Sequence, residues 1–365
     1  MKSLSAVSIS PHIGKCSICL ILGLIMKNQG LNVGYIRPIG DSPIIVDGVR
    51  ADKNALFIAQ ALKAPEKLDV PIDLLCPILV DSKIVGHVLE GTGGAFLGSV
   101  EGAMEEKIVS AFSKISLGKD IVLSCSIGSL STGSLINLPV PRQAELIDAK
   151  MLLVVKYESD SDVEDLFFFS QLLKPGVIGS MFNHVPKEKV GFIRETIIPY
   201  LEEKGVPVLG VIPEDEILNS TTARELADEL GGKVLCCHGR ANELIHNFMV
   251  GAMDVRSAFQ YFRDMHDKAV ITGGDRPDIQ LAALQTSTRC LILTGNLHPS
   301  PVIVDRAREI GVPVILVKDD TLTTIGKVRG VLRDLASCGN KKMEHAKGLF
   351  EQNVDLDRLY TLMGL

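Results

Sequence analysis

The chain has 365 residues, of which 46% are apolar and 22% charged, with a net charge of −6. That length supports two or more units with their own cores, and the acidic balance argues against a broad nucleic-acid or anionic-membrane surface. The longest apolar run, Ile18 to Met26, is far too short to span a bilayer, and Met1-Lys2-Ser3 leads into a short strand rather than a signal peptide. The expectation is a cytoplasmic protein.

Leu4 to Ile9 reads as a strand, followed by the small polar turn Ser10-Pro11-His12-Ile13-Gly14-Lys15 and an apolar helix. Strand, turn ending in Gly-Lys and helix is the layout of a phosphate-binding loop, in which backbone N–H groups and the lysine hold anionic oxygens. The pattern is damaged. The opening glycine is Ile9 on the usual spacing, or Ser8 in a loop one residue longer, and the hydroxyl residue that follows the lysine is Cys16. Candidate ligand-binding residues here are Ser10, His12, Ile13, Gly14, Lys15, Cys16 and Ser17.

Further on, Val33 to Arg37 reads as a strand and Ala51 to Leu62 as a helix. Ile121 to Ser124, Leu152 to Val155, Val177 to Phe182 and Val206 to Val211 are short apolar runs suited to buried parallel strands, with a helix from about Glu188 to Lys204. This alternation predicts an α/β fold, a parallel sheet flanked by helices, with ligands at the carboxyl ends of the strands. A smaller α/β unit starts near Asn242 and contains Val270 to Arg276, Leu291 to Thr294 and Val314 to Val317. The expected divisions are 1–238, 239–335 and a helical tail over 336–365. The eight cysteines show no zinc spacing; Cys16-x-x-Cys19 is an isolated pair on the first helix, and buried thiols are its ordinary reading.

Gly14-Lys15, Gly34 to Gly40, Ala51-Asp52 and Asp120 to Leu123, together with Ala144 to Lys150 and Val206 to Asp215, resemble the dethiobiotin-synthetase-like P-loop domain that precedes many bacterial phosphotransacetylases. Ile271 to Leu284 and Asp320 to Thr324 resemble the DRTGG domain that follows it there. The resemblance covers nearly the whole chain. It implies ATP or ADP with Mg²⁺ as the cofactor of the first unit, with Lys15 and Asp52 at family positions and Arg37 near the phosphate or substrate, unless Arg37 is a surface charge at a strand end. Asn183 would read the adenine edge and Pro213 would pack on the base; as an alternative, Asn183 merely opens a loop.

The same resemblance marks two losses. Cys16 replaces the metal-binding hydroxyl, and Cys125 stands where the family has a glutamate. Magnesium prefers hard oxygen ligands, so phosphoryl transfer is not expected and no catalytic residue is assigned. The acetyl-transfer domain of phosphotransacetylases is expected to be absent. Cys16 and Cys125 are also candidates for a redox pair or a soft-metal site. In the second unit Thr272, Gly273, Gly274, Asp275, Arg276, Thr294 and Gly295 form a turn region at strand ends. It is read first as structural, with Asp275 as a helix cap, and next as a regulatory pocket or a dimer contact. Three functions stay open: a regulatory or interaction protein that binds a nucleotide or small anion without efficient hydrolysis, an ATP-dependent enzyme of the dethiobiotin-synthetase or amidoligase type, and a non-binding partner of a separate acyltransferase or phosphotransferase. A homo-oligomer is the expected assembly.

Overall fold

The structure is a computed structural model that describes residues 1–11, 13–63, 66–80, 86, 93–331 and 340–365. Two compact units result, one of Met1–Glu214 with Met343–Leu365 and one of Asp215–Lys342. The division thus falls after Glu214 rather than near residue 238. The reason is that Lys233–Cys236 pairs antiparallel with Val314–Leu316, which binds it to the second unit's sheet.

In the first unit the strands are β1 (Lys2–Ser8), β2 (Val33–Ile36), β3 (Ile39–Gly40), β4 (Pro43–Val46), β5 (Val49–Asp52), β6 (Ile78–Leu79), β7 (Ile121–Cys125), β8 (Lys150–Val155), β9 (Val177–Val185) and β10 (Val208–Pro213). Six of them form the central sheet in the order β10-β9-β8-β1-β7-β2, and every pairing is parallel. The α/β expectation holds. β1 is central and all but its first residue are buried, as a strand covered on both faces requires. Helix α1 (Lys15–Asn28) buries Ile18, Leu20, Ile21, Leu22, Ile25 and Met26, an all-round apolar surface that only a helix packed on several sides can satisfy.

Helix α2 (Lys53–Lys63) starts two residues later than expected, because Ala51 and Asp52 belong to the β4–β5 hairpin, pairing with Ile44 and Pro43. The expected helix over 188–204 is composite. Ile193–Ile197 is π-helical between α-helical Val190–Phe192 and Ile198–Glu203. Pro199, which has no N–H to donate, interrupts the regular ladder.

The tail docks on the first unit as two helices, Asn340–Asn353 and Leu356–Met363. Between them Val354 forms an antiparallel bridge with Gly210 of β10, and Asp355 donates its N–H to the Leu209 carbonyl at 2.7 Å. A side chain at Gly210 would meet the Asn353 carbonyl oxygen at 2.6 Å, so glycine is what lets the tail backbone approach. Arg358 then grips Glu202 with both guanidinium nitrogens at 2.7 and 2.8 Å. That contact holds the Glu202 carboxyl below its ordinary 4.5.

Because the folded pKa is depressed, the associated stability is full above the ordinary glutamate range and is lost as pH falls through the folded value. Both side chains are about a third exposed, which limits the pair to no more than about 1 kcal/mol. Arg358→Ala should therefore lower stability slightly at neutral pH and not at all in strong acid. Denaturant titrations of both proteins at several pH values read this directly.

The second unit has β11 (Thr221–Thr222), β12 (Lys233–Cys236), β13 (Leu244–Ile245), β14 (Asn247–Val250), β15 (Lys268–Gly273), β16 (Thr288–Thr294) and β17 (Val314–Leu316). Its five-stranded sheet runs β12-β17-β16-β15-β14, parallel except for β12. Alternate residues serve opposite faces. Val270, Leu291, Leu293 and Val314 enter one core, while Ile271, Cys290, Ile292 and Ile315 enter the other. Such continuous apolar strands are the signature of a sheet covered on both sides.

Candidate functional site

β1 ends at Ser8 and α1 begins at Lys15, so the intervening loop lies at the carboxyl edge of the sheet, where the sequence places it. Gly14 adopts a left-handed conformation, φ 83°, at the helix start. A Cβ there would also lie 2.6 Å from Asn183 Nδ2, so backbone and packing both demand glycine. Among the described residues no side chain caps α1, whose first N–H groups and positive dipole end point into the loop. His12 lies outside the described residues.

Lys15 is 5% exposed, and its ammonium donates to Ser8 Oγ and to the Gly128 carbonyl, both at 2.6 Å. Burial lowers its pKa, with the nearby Cys125 opposing the shift. Ser8 Oγ in turn donates to the Ser10 carbonyl at 2.6 Å, tying the loop to itself. Ile13 is buried, and its carbonyl accepts from Asn183 Nδ2 at 2.8 Å. Asn183 therefore faces the loop backbone and braces it, rather than presenting a free amide to a base. Next to it, His184 is left-handed at φ 55° and its imidazole is driven toward the neutral form by burial. Pro213 is the last residue of β10, paired with Val185, and Ser17 is half-buried in the first turn of α1.

The thiols do come together. Cys16 Sγ lies 2.9 Å from Cys125 Sγ at the end of β7. Tyr35 Oη is 3.1 Å from the same sulfur, and Arg37 Nη2 donates to Cys16 Sγ at 3.7 Å. Cys19, one turn along α1, donates to the Ser124 carbonyl at 3.1 Å. The Cys125 thiol is pushed well below its usual pKa, chiefly by its hydrogen bond with Cys16, against burial and with help from Arg37. Cys16 is pushed the other way, chiefly by the same hydrogen bond with Cys125.

Arg37 is 4% exposed, which excludes the surface-charge alternative. Its Nη1 donates to Asp52 Oδ1 at 2.9 Å. Both Asp52 oxygens are engaged. Oδ1 also accepts the Ala55 N–H at 2.9 Å as the cap of α2, and Oδ2 accepts the Ser42 N–H at 3.0 Å. As a metal ligand it would have to compete with a buried guanidinium and two backbone donors. With thiols at both other positions, the donor set does not fit Mg²⁺. Among the described residues, no group of three or more His, Cys, Asp or Glu is arranged to hold a metal ion.

Sequence reasoning did not assign Ser8, Gly128, Tyr35 or Cys19 to the site, although it read Cys19 as a buried thiol of the first helix, as it is. The last had a signal: Cys16 and Cys19 are three apart and so share a helix face.

In the second unit Gly273 and Thr294 are register partners, which gathers the predicted turn residues at one edge of the sheet. Thr272 Oγ1 donates to the Gly251 carbonyl at 3.0 Å, and Thr294 Oγ1 contacts Thr321 Oγ1 at 2.8 Å. Gln280 Nε2 donates to the Gly273 and Gly274 carbonyls at 2.9 and 3.1 Å. A Cβ on Gly274 would collide with the Leu297 carbonyl oxygen. The expected Asp275 cap is not made. The helix starts at Pro277, Arg276 is the capping residue, and no side chain caps it. Proline at the first position has no N–H to cap. Arg276 instead donates to Asp278 Oδ1 at 3.2 Å and to the Met253 carbonyl at 3.1 Å, and Gly295 is left-handed at φ 79°. Most of these polar groups pair with one another, as in a structural turn, while Gln280 Oε1 is buried without a partner among the described residues.

Residues 225–331 match the family model for the DRTGG domain. A phosphate acetyltransferase of Pseudomonas putida is 23% identical over 375 residues, covering 96% of this chain and 50% of that protein. A phosphate acetyltransferase of Synechocystis is 28% identical over 198 residues, 51% of this chain and 28% of that protein. Against the P. putida relative, then, the chain spans about half the length. Among solved structures, the CBS and DRTGG domains of Clostridium perfringens pyrophosphatase, complexed with the activator diadenosine tetraphosphate, match at 19% identity, 39% of this chain, 71% of that chain and TM-score 0.30. The MinC:MinD cell division complex of Aquifex aeolicus matches at 16% identity, 60% of this chain, 84% of that chain and TM-score 0.37. The resemblance seen in the sequence holds: the chain carries a DRTGG domain and is related to phosphate acetyltransferases. No helix among the described residues is long and apolar enough to cross a membrane.

Proposed function

We propose that this protein is a regulatory or interaction module whose first unit binds a phosphate-bearing ligand, a nucleotide such as ATP or ADP, without metal-dependent phosphoryl transfer. The observation that carries the reading is the buried Lys15 ammonium at the N-terminus of a 14-residue helix. Backbone donors, helix dipole and one fixed cation converge there, which is the minimum a phosphate group needs. Hydrolysis is a different demand. It calls for a cation that neutralises developing charge on the transferred group, and Cys16, Cys125 and a fully engaged Asp52 do not supply its ligands.

The relation to phosphate acetyltransferases supports a regulatory place beside an acetyl- or phosphoryl-transfer activity. Isothermal titration with ATP, ADP and GTP, with and without Mg²⁺, tests the proposal. Binding that Mg²⁺ does not strengthen is the expected result. No heat from any of them at millimolar concentration would remove the nucleotide.

A second reading has a specific observation behind it. Lys15 and Asn183 already have protein partners in the loop, as a non-binding scaffold would arrange them. In that case the titrations are flat, and the module acts through a partner enzyme alone.

A further inference from the structure

We infer that Cys16 and Cys125 form a reversible disulfide that locks the first turn of α1 to the end of β7 and so controls the loop by redox state. The sulfurs are 2.9 Å apart, already inside van der Waals contact. Closing to a bond of ~2.05 Å takes less than about 1 Å of movement. The two residues are 109 positions apart and belong to different elements, so their meeting is made by the fold and not by local chain geometry. Cys16 is half-buried while Cys125 is fully buried, which gives an oxidant one point of entry. The third thiol is less suited, because Cys19 is buried and its sulfur is directed at the Ser124 carbonyl. Arg37 and Tyr35 border the pair, a cation and a hydroxyl that favour a thiolate.

With hydrogen peroxide as oxidant, the step balances. The Cys16 sulfur, the more exposed of the two, attacks one peroxide oxygen as its proton passes to the departing hydroxide; an S–O bond forms, the O–O bond breaks, and the hydroxide leaves as water. Cys125 sulfur then attacks the sulfenic sulfur. The S–S bond forms, the S–O bond breaks, and the second hydroxide leaves as water with the Cys125 proton. Two thiols are oxidised by two electrons, and the peroxide is reduced by the same two.

The bond would fix the residues that flank Lys15. That consequence rests on the proposed ligand site, whereas the bond itself does not. Wild-type protein is treated with mild peroxide, alkylated, and digested without reductant for mass spectrometry. A Cys16–Cys125 linked peptide is expected, absent after dithiothreitol and retained in Cys19→Ser. No linked peptide, or one joining Cys19 to Cys125, overturns the assignment. Titrating ATP into the reduced and oxidised forms reads the coupling, with a loss of about tenfold in affinity expected on oxidation. Equal affinity with the bond mapped overturns the control; reduced protein that binds no ATP fails the nucleotide reading and leaves the mapped bond standing.

Discussion

Asp52→Asn is expected to destabilise the first unit by about 3–5 kcal/mol, the scale for removing one partner of a buried ion pair. The magnitude follows from what Asp52 does. Its carboxylate is unexposed and faces Arg37, which is 5% exposed along its side chain. Three donors converge on its two oxygens: Arg37 Nη1, the Ala55 N–H and the Ser42 N–H. An asparagine keeps one acceptor and turns an NH₂ toward a donor. It also leaves the guanidinium buried without a counter-charge, and Arg37 Nε already has no hydrogen-bond partner among the described residues.

Thermal melts should show the loss as a fall in Tm on the order of 10 °C for a unit of this size. Arg37→Met combined with Asp52→Leu separates the causes. Where the single change exposes an uncompensated charge, the apolar pair should recover much of the stability. A single mutant within about 1 kcal/mol of wild type would show that the pair is not the hub it is described as.

How far this arrangement could be read from the sequence differs by level. The parallel sheet was legible because β1, β7, β8 and β9 are short apolar runs, and such runs sit in few other environments. Gly14 and Lys15 were legible because their spacing to the strand and helix is local. Asp52 was not, since a carboxylate after a strand looks the same whether it binds a metal, caps a helix or answers an arginine. Only the hairpin of β4 and β5 decides among these. Asn183 was expected just past a strand ending at Phe182, whereas it lies within β9, and the direction of its amide depends on Ile13, 170 residues away. Gly128 offers a carbonyl to Lys15, and a carbonyl leaves no trace in residue identity. The division after Glu214 was hidden for the same reason: the antiparallel return of β12 onto β17 is a long-range pairing. The meeting of Cys16 with Cys125 was anticipated through the family alignment, and the structure supplies its 2.9 Å distance.

Lys15→Ala is expected to weaken ATP binding by about 10- to 100-fold, the equivalent of losing a hydrogen bond to a charged group. The competing scaffold reading predicts something different for the same change. There Lys15 matters because it holds the Gly128 carbonyl and Ser8 together, so the variant loses stability and no affinity exists to lose. Measuring both Tm and affinity on one preparation separates the two.

The pH dependence adds a readout that packing alone would not produce. Burial lowers the Lys15 pKa in the free protein. A base with a depressed folded pKa costs stability while it is protonated, and stability is regained as pH rises through that folded value. The ammonium is the form that attracts phosphate, so ATP affinity should fall over the same rise. A bound anion would also pull the lysine pKa back up, making binding take up protons in that window. Wild-type affinity that declines with rising pH, in a protein whose Lys15→Ala variant shows a flat profile, would identify Lys15 as the charge that meets the ligand. A decline of the same size in the variant would assign the titration to another group and return Lys15 to a purely structural role.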